Sequence, residues 1–263
     1  GAEGESWSGR DMAQLARGER WKGGYHLFKT VKQLGGPIEG NTGLPQVARI
    51  GDGEQVECYP SYWGIKLHQL SELNQKLRIF YQGKGQDFSK KTMRDIVPEY
   101  IVPETVGKGI GYAVMVNERE PVRANVMVSH CWDENYEDFI RQILEKKGDL
   151  DKLTKESTKE PKQEDPGLWI CALSIFQQQS YDESGPTIGE QLGQDVMFGP
   201  FPQVVMQADL MLVVQTREAE VYTRMWCILE ILIAMGDKGA PVMLAGEWNV
   251  DREWFEKFDP STA

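Results

Sequence analysis

The 263-residue chain carries 40 acidic and 29 basic side chains, which gives it a formal net charge of -11. This acidity argues against nucleic acid and anionic membrane surfaces as direct partners. No apolar run reaches the length of a membrane span, and no signal-peptide pattern opens the chain. A chain of this length forms one large domain, or one domain with an extension.

Residues 1–60 differ in composition from the rest of the chain. They are rich in Gly and polar residues, with isolated aromatic side chains such as Trp7 and Trp21. This pattern predicts an irregular N-terminal arm that is ordered by packing on the surface of this domain or on another protein chain. The chain begins at Gly1 rather than Met, which is consistent with a processed terminus and leaves a plastid assembly open as its setting.

Residues 61–120 are predicted to form a helical lead-in, because apolar side chains recur there at helical spacing and Gly and Pro punctuate the rest. The three glycines Gly107, Gly109 and Gly111 lack the spacing of a dinucleotide-binding loop. The predicted elements are a helix from Tyr62 to Tyr81, a short helix over Lys90–Ile96 between a Ser89 cap and Pro98, an extended segment over Ile101–Thr105, and a flexible turn at Gly107, Gly109 and Gly111.

Residues 121–263 are predicted to form an α/β domain. Short apolar runs that suit buried strands alternate with longer segments that suit helices, which predicts a mainly parallel sheet flanked by helices. The predicted strands are 125–129, 168–175, 210–215 and 241–245, the predicted helices are 136–147, 201–207, 223–235 and 252–258, and residues 148–167 are a predicted solvated loop.

The helix predicted over Thr223–Met235 contains one charged residue, Glu230, between Met225 and Met235. A helix that is apolar on nearly every face is predicted to be buried. A carboxylate carried into such a core is costly unless it is hydrogen-bonded or protonated.

Polar side chains follow the predicted strands at their carboxyl ends, where open parallel sheets bind ligands. Ser129, His130 and Trp132 come at the end of the first strand, and Gln177 follows the second. We therefore expect these four residues to form a candidate ligand-binding edge.

Three motifs in this order resemble a TIR-like domain, of the divergent Ser-His-x-Trp variety found in protists, algae and fungi. They are Ser129-His130-Cys131-Trp132-Asp133, Trp169-Ile170-Cys171 and Arg224-Met225-Trp226-Cys227-x-x-Glu230. The resemblance covers about residues 123–250 and implies a flavodoxin-like layout. It also implies one of two functions, because many TIR domains are adaptors that assemble with partners, whereas some hydrolyse NAD.

In the NAD glycohydrolase interpretation, the resemblance implies that Glu230 is the catalytic carboxylate. A carboxylate stabilises the oxocarbenium character that develops when an N-glycosidic bond breaks, and Trp226 lies one turn away on the same helix face. In the alternative interpretation Glu230 is structural and accepts hydrogen bonds from the Ser129–His130 turn. The Gln177–Gln179 run departs from the Asp/Arg-rich loop of a typical TIR domain and favours the structural alternative.

Four dispersed Cys residues indicate reduced thiols rather than a disulfide framework, and the three His residues show no metal-ligand spacing. The sequence therefore predicts no metal and no cofactor, with NAD as a substrate in the enzymatic alternative. The favoured function is a non-catalytic interaction module, an accessory subunit that contacts other chains partly through residues 1–60. It is expected in a reducing compartment, with peripheral association to a membrane complex left open.

Overall fold

The structure, a computed structural model, describes residues 32–36, 45–50, 53–157, 163–179, 184–217, 219, 221–236 and 240–246. These residues belong to one compact unit, Lys32–Ala263. The helix predicted over residues 252–258 and the first 31 residues of the predicted arm lie outside the described residues.

The described strands form two sheets, one of three strands and one of five. The strands are β1 (Lys32–Leu34), β2 (Gln46–Ile50), β3 (Glu54–Cys58), β4 (Ile65–Lys66), β5 (Val126–Ser129), β6 (Gly167–Ile170), β7 (Leu210–Gln215) and β8 (Val242–Gly246).

The five-stranded sheet has the order β4-β6-β5-β7-β8. Its last four strands pair in parallel, and only the two-residue edge strand β4 is antiparallel. The predicted mainly parallel sheet is therefore confirmed. Counted along the chain, the four parallel strands lie in the order 2-1-3-4, which is the flavodoxin-like arrangement with its topological switch point between β5 and β7.

Helices cover both faces of this sheet. Alternate residues of each strand point to opposite faces, so the strands contribute to two separate hydrophobic clusters. Val126 and Val128 belong to one hydrophobic cluster, while Met127 belongs to the other. The helices are α1 (Leu67–Gly83), α2 (Met93–Ile96), α3 (Val102–Thr105), α4 (Tyr112–Val116), α5 (Tyr136–Glu145), α6 (Lys147–Glu156), α7 (Cys171–Ser174), α8 (Ile188–Leu192), α9 (Pro200–Gln207) and α10 (Met225–Ala234). In the described part of the chain, no helix is long and apolar enough to cross a membrane.

The segment from Phe88 to Thr105 corrects two local predictions. The cap predicted at Ser89 lies instead in a 3-10 turn, Phe88–Lys90, and Thr92 is the N-cap residue of α2. Helical backbone then continues through a π-helical stretch, Val97–Ile101, into α3 rather than becoming extended. Pro98 and Pro103 each lie at the start of a new helical stretch, where a missing backbone N–H is tolerated.

Two further predictions are corrected in the middle of the chain. Strand β6 ends at Ile170 rather than near residue 175, because the chain turns into the single helical turn α7. The Ser174 hydroxyl accepts a hydrogen bond from the Ile170 N–H at 3.1 Å and closes this turn. The solvated loop predicted for residues 148–167 contains helix α6, whose Leu150 is fully buried.

The predicted irregular arm also contains unexpected structure in its described part. Strands β1, β2 and β3 form a small sheet, with β2 and β3 antiparallel. Ala48, Val56 and Cys58 are fully buried and join the hydrophobic cluster that contains Trp63. The irregular structure predicted for residues 1–60 therefore does not extend to these three strands.

Candidate functional site

A cavity of about 200 Å³ lies where the carboxyl ends of β5 and β6 meet α10. This is the carboxyl edge of the parallel strands, where ligands bind in open α/β folds. The predicted site residues His130, Trp132, Gln177, Trp226 and Glu230 all line it, together with Cys171 and Arg224. The sixth predicted residue, Ser129, is buried behind the wall and reaches the cavity through Glu230.

Two larger surface clefts, of about 850 and 560 Å³, lie elsewhere. One runs beside α1 and α5, and the other lies between β2 and residues 184–186. Their titratable side chains are all exposed or half-buried. Of these three cavities, all in the described part of the chain, only the smallest combines buried titratable groups with a concave apolar wall, the usual character of a ligand site.

Glu230 is the central titratable group of the cavity. It is 4% exposed, and one of its carboxyl oxygens accepts a hydrogen bond from the Ser129 hydroxyl. Burial raises the pKa of the Glu230 carboxyl from 4.5 to about 8, although the Ser129 hydrogen bond and the charge of Arg224 act in the opposite direction. The carboxyl group is therefore mostly protonated at neutral pH, and a positive charge close to it would favour its ionised form.

Trp226 forms an aromatic wall one turn before Glu230. Its ring stacks on Phe201 at 5.1 Å between centroids with an interplanar angle of 23°, and Phe201 makes an edge contact with Trp169. Trp226 is half-buried and lines the cavity, so its indole serves as both packing and pocket surface.

His130 also lines the cavity. Its Nδ1 lies 2.7 Å from Glu134 Oε1, and its Nε2 lies 3.6 Å from Cys171 Sγ. The Trp132 indole N–H donates to the same sulfur at 3.3 Å. Burial raises the pKa of Glu134 well above its usual range, with Asp138 acting in the same direction. His130 is therefore held by Glu134 rather than by Glu230.

The remaining wall comes from the segments after β6. The Gln177 amide donates to the Ile175 carbonyl at 3.2 Å, which fixes this side chain at the rim. Thr187 caps α8 by accepting from the Glu190 N–H, and Ile188 at its start faces the cavity.

Comparison of the chain with models of protein families, with curated proteins and with solved structures found no match. The TIR-like resemblance therefore rests on the sequence motifs alone. The function of the cavity has to be argued from its own chemistry.

Three side chains that contribute to the polar contacts of the site were not predicted from the sequence. The sequence places Cys171 inside the strand predicted over residues 168–175, and its sulfur reaches the cavity because β6 ends early, at Ile170. Glu134 lies four residues after His130, a spacing that would have indicated contact if a turn had been predicted there. Arg224 belongs to the quoted motif, but nothing in the pattern indicates that it faces the cavity. Among the described residues, no group of three or more His, Cys, Asp or Glu side chains is arranged to hold a metal ion.

Proposed function

We propose that this α/β domain cleaves the N-glycosidic bond between nicotinamide and ribose in NAD, with Glu230 as the catalytic carboxylate. The observation that carries the proposal is the placement of Glu230: a buried carboxyl group on the wall of a cavity at the carboxyl edge of the sheet, with a pKa raised to about 8. Perturbed carboxyl groups in clefts are typical of active sites.

The electrostatics of Glu230 suit a cationic substrate. The nicotinamide ring of NAD is positively charged, and an opposite charge within a few ångströms favours the ionised carboxyl. The resulting carboxylate would then stabilise the oxocarbenium character at the ribose carbon as nicotinamide leaves and water attacks. The Ser129 hydroxyl holds one carboxyl oxygen, which fixes the direction of the group.

The size of the cavity limits what enters it. Its volume of about 200 Å³ is smaller than typical ligand pockets, which begin at roughly 300 Å³. In this proposal only the nicotinamide-ribose end of the dinucleotide enters. The Trp226 ring would face the nicotinamide, and the Arg224 guanidinium would attract the phosphates that remain outside.

The proposal is tested by incubating the purified full chain with NAD and measuring released nicotinamide by chromatography. Glu230→Gln should abolish release, while Glu120→Gln, at an exposed position, should not. Because the free enzyme must ionise Glu230, kcat/KM should rise about tenfold per pH unit and level off above about pH 8. No release by concentrated wild-type protein, alone or assembled, would exclude the activity.

A second candidate function is the interaction module expected from the sequence. It is supported by the outer face of α10, where Met225, Leu232 and Met235 are 82%, 63% and 75% exposed. The sequence predicts a buried helix here, and large apolar side chains left exposed together mark surfaces that bind other proteins. In this proposal the domain docks other chains through α10, and residues 1–60 contribute further contacts.

The interaction surface is tested with Leu232→Asp, which places a charge at the centre of the exposed face. Sedimentation velocity over a range of concentrations should show association of the wild type that the variant lacks. Ile79→Asp is the matched control, because Ile79 is 70% exposed on a different helix, α1. Equal behaviour of all three proteins would exclude α10 as an association surface for this chain.

A further inference from the structure

The cavity contains a second constellation that the Glu230 proposal does not use. Cys171, His130 and Glu134 form a chain in which a thiol, an imidazole and a carboxyl group follow one another. The sulfur lies 3.6 Å from Nε2, and Nδ1 lies 2.7 Å from the carboxyl oxygen. This is the order of nucleophile, base and orienting acid that recurs in nucleophilic catalysis on unrelated folds.

The local fold positions each member of this chain for a physical reason. His130 follows β5 directly, and Cys171 follows the adjacent parallel strand β6, so the two lie at the same sheet edge. Glu134 is fully buried beneath His130, and its second carboxyl oxygen has no hydrogen-bond partner among the described residues. Loss of the His130 contact would leave this buried carboxyl group without a side-chain partner, which costs free energy. Glu134 therefore holds the His130 ring in place.

The geometry does not suit a metal site. Cys171 and Glu134 contact opposite nitrogens of His130, so their ligand atoms do not converge on one point. It suits proton transfer instead. When Nδ1 donates its hydrogen to Glu134, Nε2 presents its lone pair to the thiol.

Cys171 also differs from the other three cysteines of the chain. All four are free thiols, but Cys58, Cys131 and Cys227 are buried. Burial raises the pKa of each of these three thiols, which opposes thiolate formation. Cys171 is half-buried and lines the cavity, and its sulfur also accepts the Trp132 indole hydrogen bond. An N–H donor directed at a sulfur stabilises a thiolate.

We propose that Cys171 is a nucleophilic thiol that accepts a short acyl group from an ester or thioester donor. In the step, His130 Nε2 takes the thiol proton, the sulfur bonds to the acyl carbon, and the bond to the leaving alcohol or thiol breaks. The leaving group takes the proton back from His130. Water then hydrolyses the acyl-thiol, which releases a carboxylic acid and restores the free thiol.

The cavity fits this class of substrate. Its volume of about 200 Å³ accommodates a short acyl chain, and its wall includes Val128, Ile175 and Leu192. Arg224 adds one positive charge to the same wall and would favour a donor with an anionic leaving part. Neither feature depends on the role proposed for Glu230.

The test uses the purified full chain and p-nitrophenyl acetate, with p-nitrophenolate release followed by absorbance and the acetylated residue located by peptide mass spectrometry. We expect acetylation of Cys171 roughly tenfold faster than that of free cysteine at pH 7. Cys171→Ala should abolish the reaction, and Cys58→Ala, a buried cysteine outside the cavity, should leave it unchanged.

His130 and Glu134 are tested in the same assay. His130→Ala should slow acetylation at least tenfold, and added imidazole should restore part of the rate, which a purely structural role would not allow. His130→Gln serves if circular dichroism shows that the Ala variant is unfolded. Glu134→Gln tests whether Glu134 positions His130. This variant should react more slowly than the wild type, and added imidazole should not restore its rate. The proposal is overturned if Cys171 reacts no faster than free cysteine, or if both folded His130 variants react at the wild-type rate.

Discussion

The raised pKa of Glu230 makes a quantitative prediction about stability. In the unfolded chain this carboxyl ionises near its ordinary pKa of 4.5, whereas in the folded protein it keeps its proton up to about pH 8. Between these values the folded state binds one more proton than the unfolded state, so rising pH favours unfolding. Glu230→Gln removes the titration but keeps an oxygen that accepts the Ser129 hydrogen bond. The variant should therefore become progressively more stable than the wild type as pH rises.

The size of the effect follows from the two pKa values. Each pH unit between them changes the free energy of unfolding by about 1.4 kcal/mol, so about 3.5 units correspond to roughly 5 kcal/mol. The stability difference should begin near pH 4.5, grow steadily, and become constant above about pH 8.

The measurement is urea unfolding of wild type and Glu230→Gln at several pH values between about 4 and 9, chosen to span the two pKa values. The difference between the two proteins isolates Glu230, because every other titrating group is common to both. Glu120→Gln, at an exposed site, controls for the loss of one negative charge from an acidic chain. A difference that stays constant across the range would refute a Glu230 carboxyl that is protonated in the folded state at neutral pH.

Four further changes test the packing and the helix capping around the sheet. Gly167→Ala should destabilise the protein by about 1–3 kcal/mol, because its new Cβ would lie 2.0 Å from the Arg123 carbonyl oxygen. Gly148→Ala, which meets nothing within 4 Å in helix α6, should stabilise it by about 0.5–1 kcal/mol, and thermal unfolding compares the two. Arg123→Met should cost about 3–5 kcal/mol in urea unfolding, since it leaves the nearly buried Asp209 carboxylate without its charge partner. Asn135→Ala should cost about 1 kcal/mol, through loss of the 3.0 Å hydrogen bond to the Asp138 N–H at the start of α5. An unchanged midpoint for Gly167→Ala or Arg123→Met would contradict the packing described for that residue.

The sheet could be predicted because its strands are short, apolar on both faces and separated by helical segments. Leu210–Gln215 is the simplest case, since five of its six residues are buried and only a covered parallel strand suits such a run. The edge strand β4 could not be predicted, because two residues carry no period. Its existence depends on pairing with β6, where Ile65 lies opposite Leu168.

Predictions failed where local signals compete with tertiary contacts. Pro98 is predicted to end a helix, and Pro103 lies in a segment that is predicted to be extended, yet both fit at the first positions of helical stretches. The apolar run from Leu168 reads as one long strand, but the Ser174 hydroxyl draws the backbone into a turn. In the described part of residues 1–60, the small sheet is stabilised by contacts such as that of Gln46, whose amide donates to the Ser174 carbonyl. Such long-range contacts leave no pattern in the local sequence.

The sequence predicts which residues lie at the candidate site, but not which of them are hydrogen-bonded to each other. Topology places the ends of β5 and β6 at one edge, so His130 and Gln177 follow from the strand assignment alone. The sequence does not reveal which partner each polar group takes. Glu230 bonds Ser129, whereas His130 bonds Glu134, and this division depends on side-chain directions that are set by packing.

Helix α10 shows why a nearly uniform apolar sequence leaves both proposed functions open. Its inner face carries Cys227, Glu230 and Ala234 at helical spacing, and these are buried. Its outer face carries Met225 and Leu232, which are exposed. Since most of its residues are apolar, hydropathy alone cannot separate a helix buried on all sides from one with an exposed apolar face. The two faces point in different directions, so a charge at Leu232 should disturb association without reaching the cavity, and Glu230→Gln should stop catalysis without altering the outer face. If either change produced both effects, the cavity and the outer surface would have to be treated as one coupled site.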